Sequence, residues 1–202
     1  MSADDPKAAL RRRLLALRMD VSAARPDAGA ALVEHWPEAW ALPAGCVVAG
    51  YRALPGEIDP EPLMRHLASR GAELALPVTQ AQDGPLLFRA WSPGDPLQRA
   101  AFGVEEPTGE APARHPDLVL VPLLGVDRHG MRIGFGKGYY DRTLDRLRTL
   151  APVRAVGLAF SEQRLDSVPF DDHDQPLDAL VTDSGFHLFG TDKPESGAGG
   201  RT

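Results

Sequence analysis

The sequence predicts an α/β fold in which helices cover both faces of a largely parallel central sheet. Three observations carry that expectation. Apolar runs of strand length alternate along the chain with segments of helical periodicity. Several of the runs are apolar throughout, Leu118–Asp127 (LVLVPLLGVD) most of all, as expected of strands buried on both faces. Neither an internal repeat nor a long linker divides the 202 residues, so residues 1–190 are expected to form one domain. Residues 191–202, rich in Gly and polar groups, are expected to be a disordered tail.

The elements follow in order. Asp5–Ala24 predicts a helix: Asp4 or Asp5 suits the cap, Pro6 the first turn, and Leu10, Leu14, Leu17 and Val21 recur on one face. Lys7, Arg11 and Arg18 project within about 40° of one another at the border of that face. A second helix is expected over Asp27–Trp36. Cys46–Ala53 reads as a buried strand, followed by the turn LPGEID, and Pro60–Ser69 as a helix closed by Gly71. Glu73–Thr79 and Leu86–Trp91 read as strands, and the Pro- and Gly-rich stretch Ser92–Pro116 as an irregular loop with short elements. After the strand Leu118–Asp127 comes a Gly-rich loop, Arg128–Gly138, then a helix over Tyr139–Leu150. Strands over Val153–Phe160 and Ala179–Gly185 complete the pattern.

Composition narrows the function. Hydrophobic residues make up 43% and charged residues 25%, a soluble, globular balance. A formal charge of -6 argues against a nucleic-acid or membrane partner, though a local basic pocket can still take an anion. The single Cys46 cannot form an intrachain disulfide and reads as a small buried side chain. The N-terminus lacks a signal-peptide core and no run is long enough to span a membrane, so a cytoplasmic location is expected.

The segment GFGKGYYDR (Gly134–Arg142) carries the strongest chemical signal. Gly134, Gly136 and Gly138 let backbone N–H groups approach a phosphate, and the helix that follows aims its N-terminus at the same anion. Lys137 adds a full charge, flanked by Arg132 and Arg142. The pattern is neither a Walker A motif nor a dinucleotide fingerprint, and a flexible connector is the plain alternative. Asp141 lies one turn into the helix, where it can serve Mg2+ beside phosphate oxygens or simply complement the helix dipole. Asp171, Asp172 and Asp174 form a second carboxylate cluster around His173, for which a solvated loop is the simpler account. Lys7, Arg11 and Arg18 could reach a cleft along the core edge, and Glu57 follows a strand at the position where α/β folds line their ligand crevice.

Together these residues resemble the 5-formyltetrahydrofolate cyclo-ligase family, over about Lys7 to Asp183. The pieces stand in the family's order: KAALR, GEID, LLFRAW, FGVEEP, PDLVLVPLLGVDRHGMRIGFGKGYYDR, VGLAFSEQ and VPFDDHDQPLD. The resemblance implies a three-layer α/β/α sandwich and the ATP-dependent closure of 5-formyltetrahydrofolate to 5,10-methenyltetrahydrofolate, with release of ADP and phosphate. It implies that Lys7 and Arg11 meet the ATP phosphates, and that Arg132, Ile133, Gly134, Phe135, Gly136, Lys137, Gly138, Tyr139 and Tyr140 line the nucleotide. Arg132, Lys137 and Tyr139 would be catalytic. Phe135, Gly136, Lys137, Gly138 and Tyr139 would also meet the folate, with Arg52 beside it and Glu57 on the pterin N–H donors. Arg52 and Phe135 stand where the family's residue differs or varies. Asp141 and Asp174 would hold Mg2+. The expected partners are ATP and 5-formyltetrahydrofolate, with or without a polyglutamate tail, and the expected state is a monomer. Two other readings remain at this stage: a sugar-phosphate isomerase of similar fold, and a folate-binding protein without turnover.

Overall fold

The computed structural model describes residues 6–80, 84–100 and 103–190. The expected cap at Asp4 or Asp5 and the tail 191–202 lie outside them. The helices are α1 (Pro6–Ala24), α2 (Ala28–His35), α3 (Glu61–Ser69) and α4 (Tyr139–Leu150). The longer strands are β1 (Val47–Ala49), β2 (Glu73–Thr79), β3 (Leu86–Ala90), β7 (Leu118–Pro122), β10 (Arg154–Ala159), β11 (Ala179–Thr182) and β12 (Gly185–Leu188). Between them lie the short strands β4 (Leu97–Arg99), β5 (Glu105–Pro107), β6 (Ala113–Arg114), β8 (Gly125–Val126) and β9 (Arg132–Ile133).

Eight strands form one sheet in the order β12-β11-β10-β7-β1-β2-β3-β6. The central pairings β11–β10, β10–β7, β7–β1 and β1–β2 are parallel, while β12, β3 and β6 add antiparallel flanks. The expected largely parallel sheet is therefore the middle of the observed one. Alternation along β7 shows why it must be covered twice. Leu118 and Leu120 pack with Leu32, Leu63 and Leu67 of α2 and α3, whereas Val119 and Val121 pack with Leu144 and Leu147 of α4. That is the three-layer arrangement. A third cluster joins Leu14 of α1 to Leu124, Met131, Ile133 and Val168, so α1 lies against the β8–β9 hairpin.

Three expectations change in detail. The strand over Cys46–Ala53 is shorter, because past Gly50 the chain turns and the Tyr51 hydroxyl donates to the Ile58 carbonyl at 2.9 Å. The run Leu118–Asp127 is two elements. Pro122 has no N–H to continue the ladder, and the next carbonyls turn to side chains: Gln163 Nε2 donates to Leu123 O at 2.8 Å and to Leu124 O at 3.1 Å. The final strand ends at Thr182, and the two residues Asp183 and Ser184 turn the chain into β12.

Strand order reverses between β1 and β7. Open α/β sheets leave a crevice beyond the carboxyl ends of their strands at such a point. The turn after β1 carries Arg52 and Glu57, and the chain after β7 leads through β8 and β9 to the Gly-rich loop.

Candidate functional site

A cavity of about 630 Å³ occupies that crevice. Its walls include every residue singled out from the resemblance: Lys7 and Arg11, Arg52 and Glu57, the whole stretch Arg132–Tyr140, and Asp141 with Asp174. The structure brings these residues to one place.

The Gly-rich loop forms one wall, and its shape depends on two glycines. Gly136 has φ +89, and a Cβ there would come within 3.0 Å of the Arg11 guanidinium carbon. Gly138 has φ +65 and immediately precedes α4. No side chain caps α4, so its first N–H groups stay open toward the loop. Gly138→Ala should destabilise the fold by about 1–2 kcal/mol through the left-handed backbone alone, measurable by urea denaturation. Arg11 clasps the loop from α1, donating from Nε to Gly134 O at 3.2 Å, and Arg142 Nη2 donates to Lys137 O at 2.8 Å. The Lys137 side chain is exposed, with no hydrogen-bond or ion-pair partner among the described residues.

Arg132 is the electrostatic hub of this end. Its guanidinium is buried and donates to the Gln175 carbonyl and, at 2.9 Å, to Asp141 Oδ1. Burial lowers its pKa from the ordinary arginine value, against the opposing charges of Asp141 and Asp174. Asp141 Oδ1 also accepts from Gln175 N at 3.1 Å. Asp174 Oδ2 accepts from Asp171 N at 2.8 Å and from Lys7 Nζ at 3.2 Å, and Lys7 also meets Asp171 at 2.6 Å. Burial pulls the Lys7 pKa down, but the hydrogen bond to Asp171 and the charge of Asp174 outweigh it, and the net shift is upward. Asp172 and His173 are exposed and do not line the cavity.

Among the described residues no group of three or more His, Cys, Asp or Glu is arranged to hold a metal ion. That excludes a closed all-protein cage within them. Two carboxylates on the wall of the cavity, Asp141 and Asp174, still suit Mg2+, which takes one or two carboxylates and completes its shell with phosphate and water.

Apolar side chains line another part of the cavity. Tyr51, Leu54, Pro77 and Leu86 line it together with two buried carboxylates, Glu57 and Glu106. Glu57 Oε2 accepts from Leu54 N at 2.9 Å, and Oε1 accepts from Arg18 Nη1 at 3.3 Å. Burial raises the Glu57 pKa above the usual carboxylate value; the Leu54 N–H and the Arg18 charge oppose it without cancelling it. Tyr140 rises as well, first from burial and then from the Glu57 charge. Arg52 lies at the rim, donating to Glu61 at 2.6 Å and to Glu105 at 3.4 Å.

Sequence reasoning missed Glu106 and Thr79, whose backbone N–H donates to Glu106 Oε1 at 3.0 Å. The motif FGVEEP contained Glu106, but only the packing of the β4–β5 hairpin beside β2 brings it to the cavity.

Known proteins share this architecture. A protein of Mycolicibacterium smegmatis named 5-formyltetrahydrofolate cyclo-ligase is 33% identical over 189 residues, covering 87% of this chain and 93% of its own. The protein of that name from Escherichia coli is 33% identical over 142 residues, covering 68% of this chain and 78% of its own. The NMR structure of Aquifex aeolicus 5,10-methenyltetrahydrofolate synthetase superposes with a TM-score of 0.71 at 28% identity, over 96% of this chain and 99% of that one. The model of the 5-formyltetrahydrofolate cyclo-ligase family matches residues 3–183, and the chain belongs to that family.

Proposed function

We propose that this chain closes 5-formyltetrahydrofolate to 5,10-methenyltetrahydrofolate with consumption of ATP. The observation that carries the reading is that one cavity is lined both by a Gly-rich segment with Lys7, Arg11, Arg132 and Lys137 and by apolar side chains around the buried Glu57. The first lining suits a polyphosphate, and the second suits a flat heterocycle bearing N–H donors.

The chemistry needs both. The N5-formyl oxygen is an amide oxygen and a poor leaving group. It attacks the γ-phosphorus of ATP, and ADP departs. The resulting iminium phosphate is attacked at carbon by N10, the C–O bond breaks, phosphate leaves, and N10 gives up its proton. The protein's part is orientation and charge stabilisation. Lys7 and Arg11 hold the phosphates from α1. Lys137, Arg132 and the loop N–H groups meet the charge on the transferred phosphoryl group, and Tyr139 borders the formyl group. Asp141 and Asp174 would hold Mg2+, which would supply countercharge to the phosphate oxygens. Glu57 accepts from the pterin, with Arg52 at the rim. The same reading makes residues 1–190 one domain and the enzyme a cytoplasmic monomer. Sedimentation equilibrium checks the oligomeric state.

The test is direct. The protein is mixed with 5-formyltetrahydrofolate and Mg-ATP, and the ultraviolet absorbance of the methenyl product is followed. Product formation that requires ATP is expected. Folate binding without product would leave a binding protein, and no folate binding would remove the folate reading altogether. A pH dependence follows from Glu57. Only its ionised form accepts two N–H donors, and its pKa is raised, so kcat/KM for the folate should fall as pH drops through a value above the ordinary glutamate range. Glu57→Gln should lower kcat/KM at neutral pH and abolish that acid limb; an unchanged limb would assign it to another group.

A further inference from the structure

Arg18 lies outside every role given above, yet it is among the largest fully buried side chains, at 1% exposure. A buried guanidinium needs acceptors, and this one is poorly served. Nη1 donates to Glu57 Oε1 and to the Leu123 carbonyl, each at 3.3 Å. Nε and Nη2 are buried with no hydrogen-bond partner among the described residues. The Phe135 ring lies over the guanidinium, its centroid 5.1 Å from Cζ, while half of Phe135 remains exposed.

Stability is a weak reason for this arrangement. A buried ion pair with long hydrogen bonds and two idle donors recovers little of its desolvation cost, and apolar residues of similar volume would hold the space as well or better. The pair is better accounted for by what it supports. One end of Arg18 touches the carboxylate of Glu57, which lines the cavity. Its face meets the ring of Phe135, a residue of the Gly-rich loop that also lines the cavity.

We infer that Arg18 is a positioning residue that fixes the Glu57 carboxylate and the Phe135 ring as two walls of the folate end of the cavity. The inference rests on the proposed folate role of Glu57. Arg18 lines no part of the cavity itself, so it acts through these two residues. Its charge also opposes, with the Leu54 N–H, the upward shift that burial imposes on Glu57. Among the groups that act on Glu57 and its neighbours, Tyr51 and Tyr140 have raised pKa values, Asp59 is an acid that acts on Tyr51, and Arg132 acts on Tyr140.

The test is steady-state kinetics on Arg18→Met, Arg18→Lys, Glu57→Gln and the double variant Arg18→Met/Glu57→Gln, with a thermal melt of each. Arg18→Met should raise KM for the folate about 10- to 100-fold, the scale of one charge-assisted hydrogen bond, with kcat and the KM for ATP within about twofold. The acid limb of kcat/KM should move to higher pH in Arg18→Met and stay near its original place in Arg18→Lys, which keeps the charge. In the Glu57→Gln background, Arg18→Met should raise KM by a smaller factor than it does alone, because only its contact with the Phe135 ring is then left to lose. A structural role alone would lower the melting temperature and leave the acid limb in place, and that result overturns the inference. So do fully additive losses in the double variant. If Arg18→Met does not fold, Arg18→Lys decides: it lacks the planar fork, so KM should still rise several-fold, and an unchanged KM overturns the inference. If Glu57→Gln leaves the folate KM unchanged, the assignment of Glu57 itself fails. A clear loss there with a silent Arg18 removes only the inference about Arg18.

Discussion

Lys137→Ala should lower kcat by about 10²- to 10³-fold while leaving folate affinity within about twofold, the magnitude set by losing one preorganised charge on a developing oxyanion. Three features set that expectation. The Lys137 side chain has no ion-pair or hydrogen-bond partner among the described residues, so its removal leaves no buried group stranded. Its backbone carbonyl, which holds Arg142 at 2.8 Å, survives the substitution, so the loop keeps its form. Its position between Gly136 and Gly138 puts it at the uncapped end of α4, beside the proposed path of the γ-phosphate. The loss should therefore appear in kcat and in kcat/KM for ATP, and little in the melting temperature. Steady-state kinetics paired with equilibrium folate binding checks it. Equal losses in turnover and folate affinity would contradict a role confined to the phosphoryl group.

How legible this was depended on how local the cause is. Helix α4 begins at Tyr139 and ends at Leu150, the bounds its sequence implied, because the glycine before it and its own apolar spacing mark both ends. Strand β2 was equally plain as Glu73–Thr79. The run after β7 was not, since a single Pro122 divides a stretch that is apolar on both sides of it. Strand β12 was missed because its four residues gain their partner only by folding back on β11. The site divides in the same way. Arg132 through Asp141 are contiguous, so a linear motif exposed them together. Glu106 reaches the cavity from an isolated hairpin that no periodicity in the Pro-rich stretch announces. Helical geometry put Arg18 beside Lys7 and Arg11, but its burial is set by Glu57, Leu123 and Phe135, which are distant in sequence.

The second large effect is expected at Asp141, where the proposed metal role falls on a carboxylate that also pairs with Arg132. Its Oδ1 takes the Arg132 guanidinium at 2.9 Å and the Gln175 N–H at 3.1 Å, which leaves Oδ2 as the oxygen available to a metal ion. Asp141→Asn keeps an oxygen that can serve Arg132 and Gln175 but removes the charge. The buried Arg132 then has only Asp174 to offset it, and breaking a buried pair by removing one partner costs about 3–5 kcal/mol when nothing replaces it. Asparagine retains the hydrogen bonds and the side chain of Asp141 is 26% exposed, so the stability loss should fall below that range. Activity should suffer more, by about 100-fold or more at ordinary Mg2+, because several kcal/mol of phosphate-charge stabilisation depend on the ion. Raising the Mg2+ concentration should recover part of that loss in Asp141→Asn, and this separates the two duties: a defect that came only from a loosened Arg132 would not respond to the ion. Asp174→Asn tests the partner carboxylate against a different background, since Asp174 meets the more exposed Lys7 and not the buried Arg132 through a hydrogen bond. It should show the same Mg2+ response with a smaller fall in melting temperature. If neither variant responds to added Mg2+, the two carboxylates serve the cations around them, and the ion is held elsewhere.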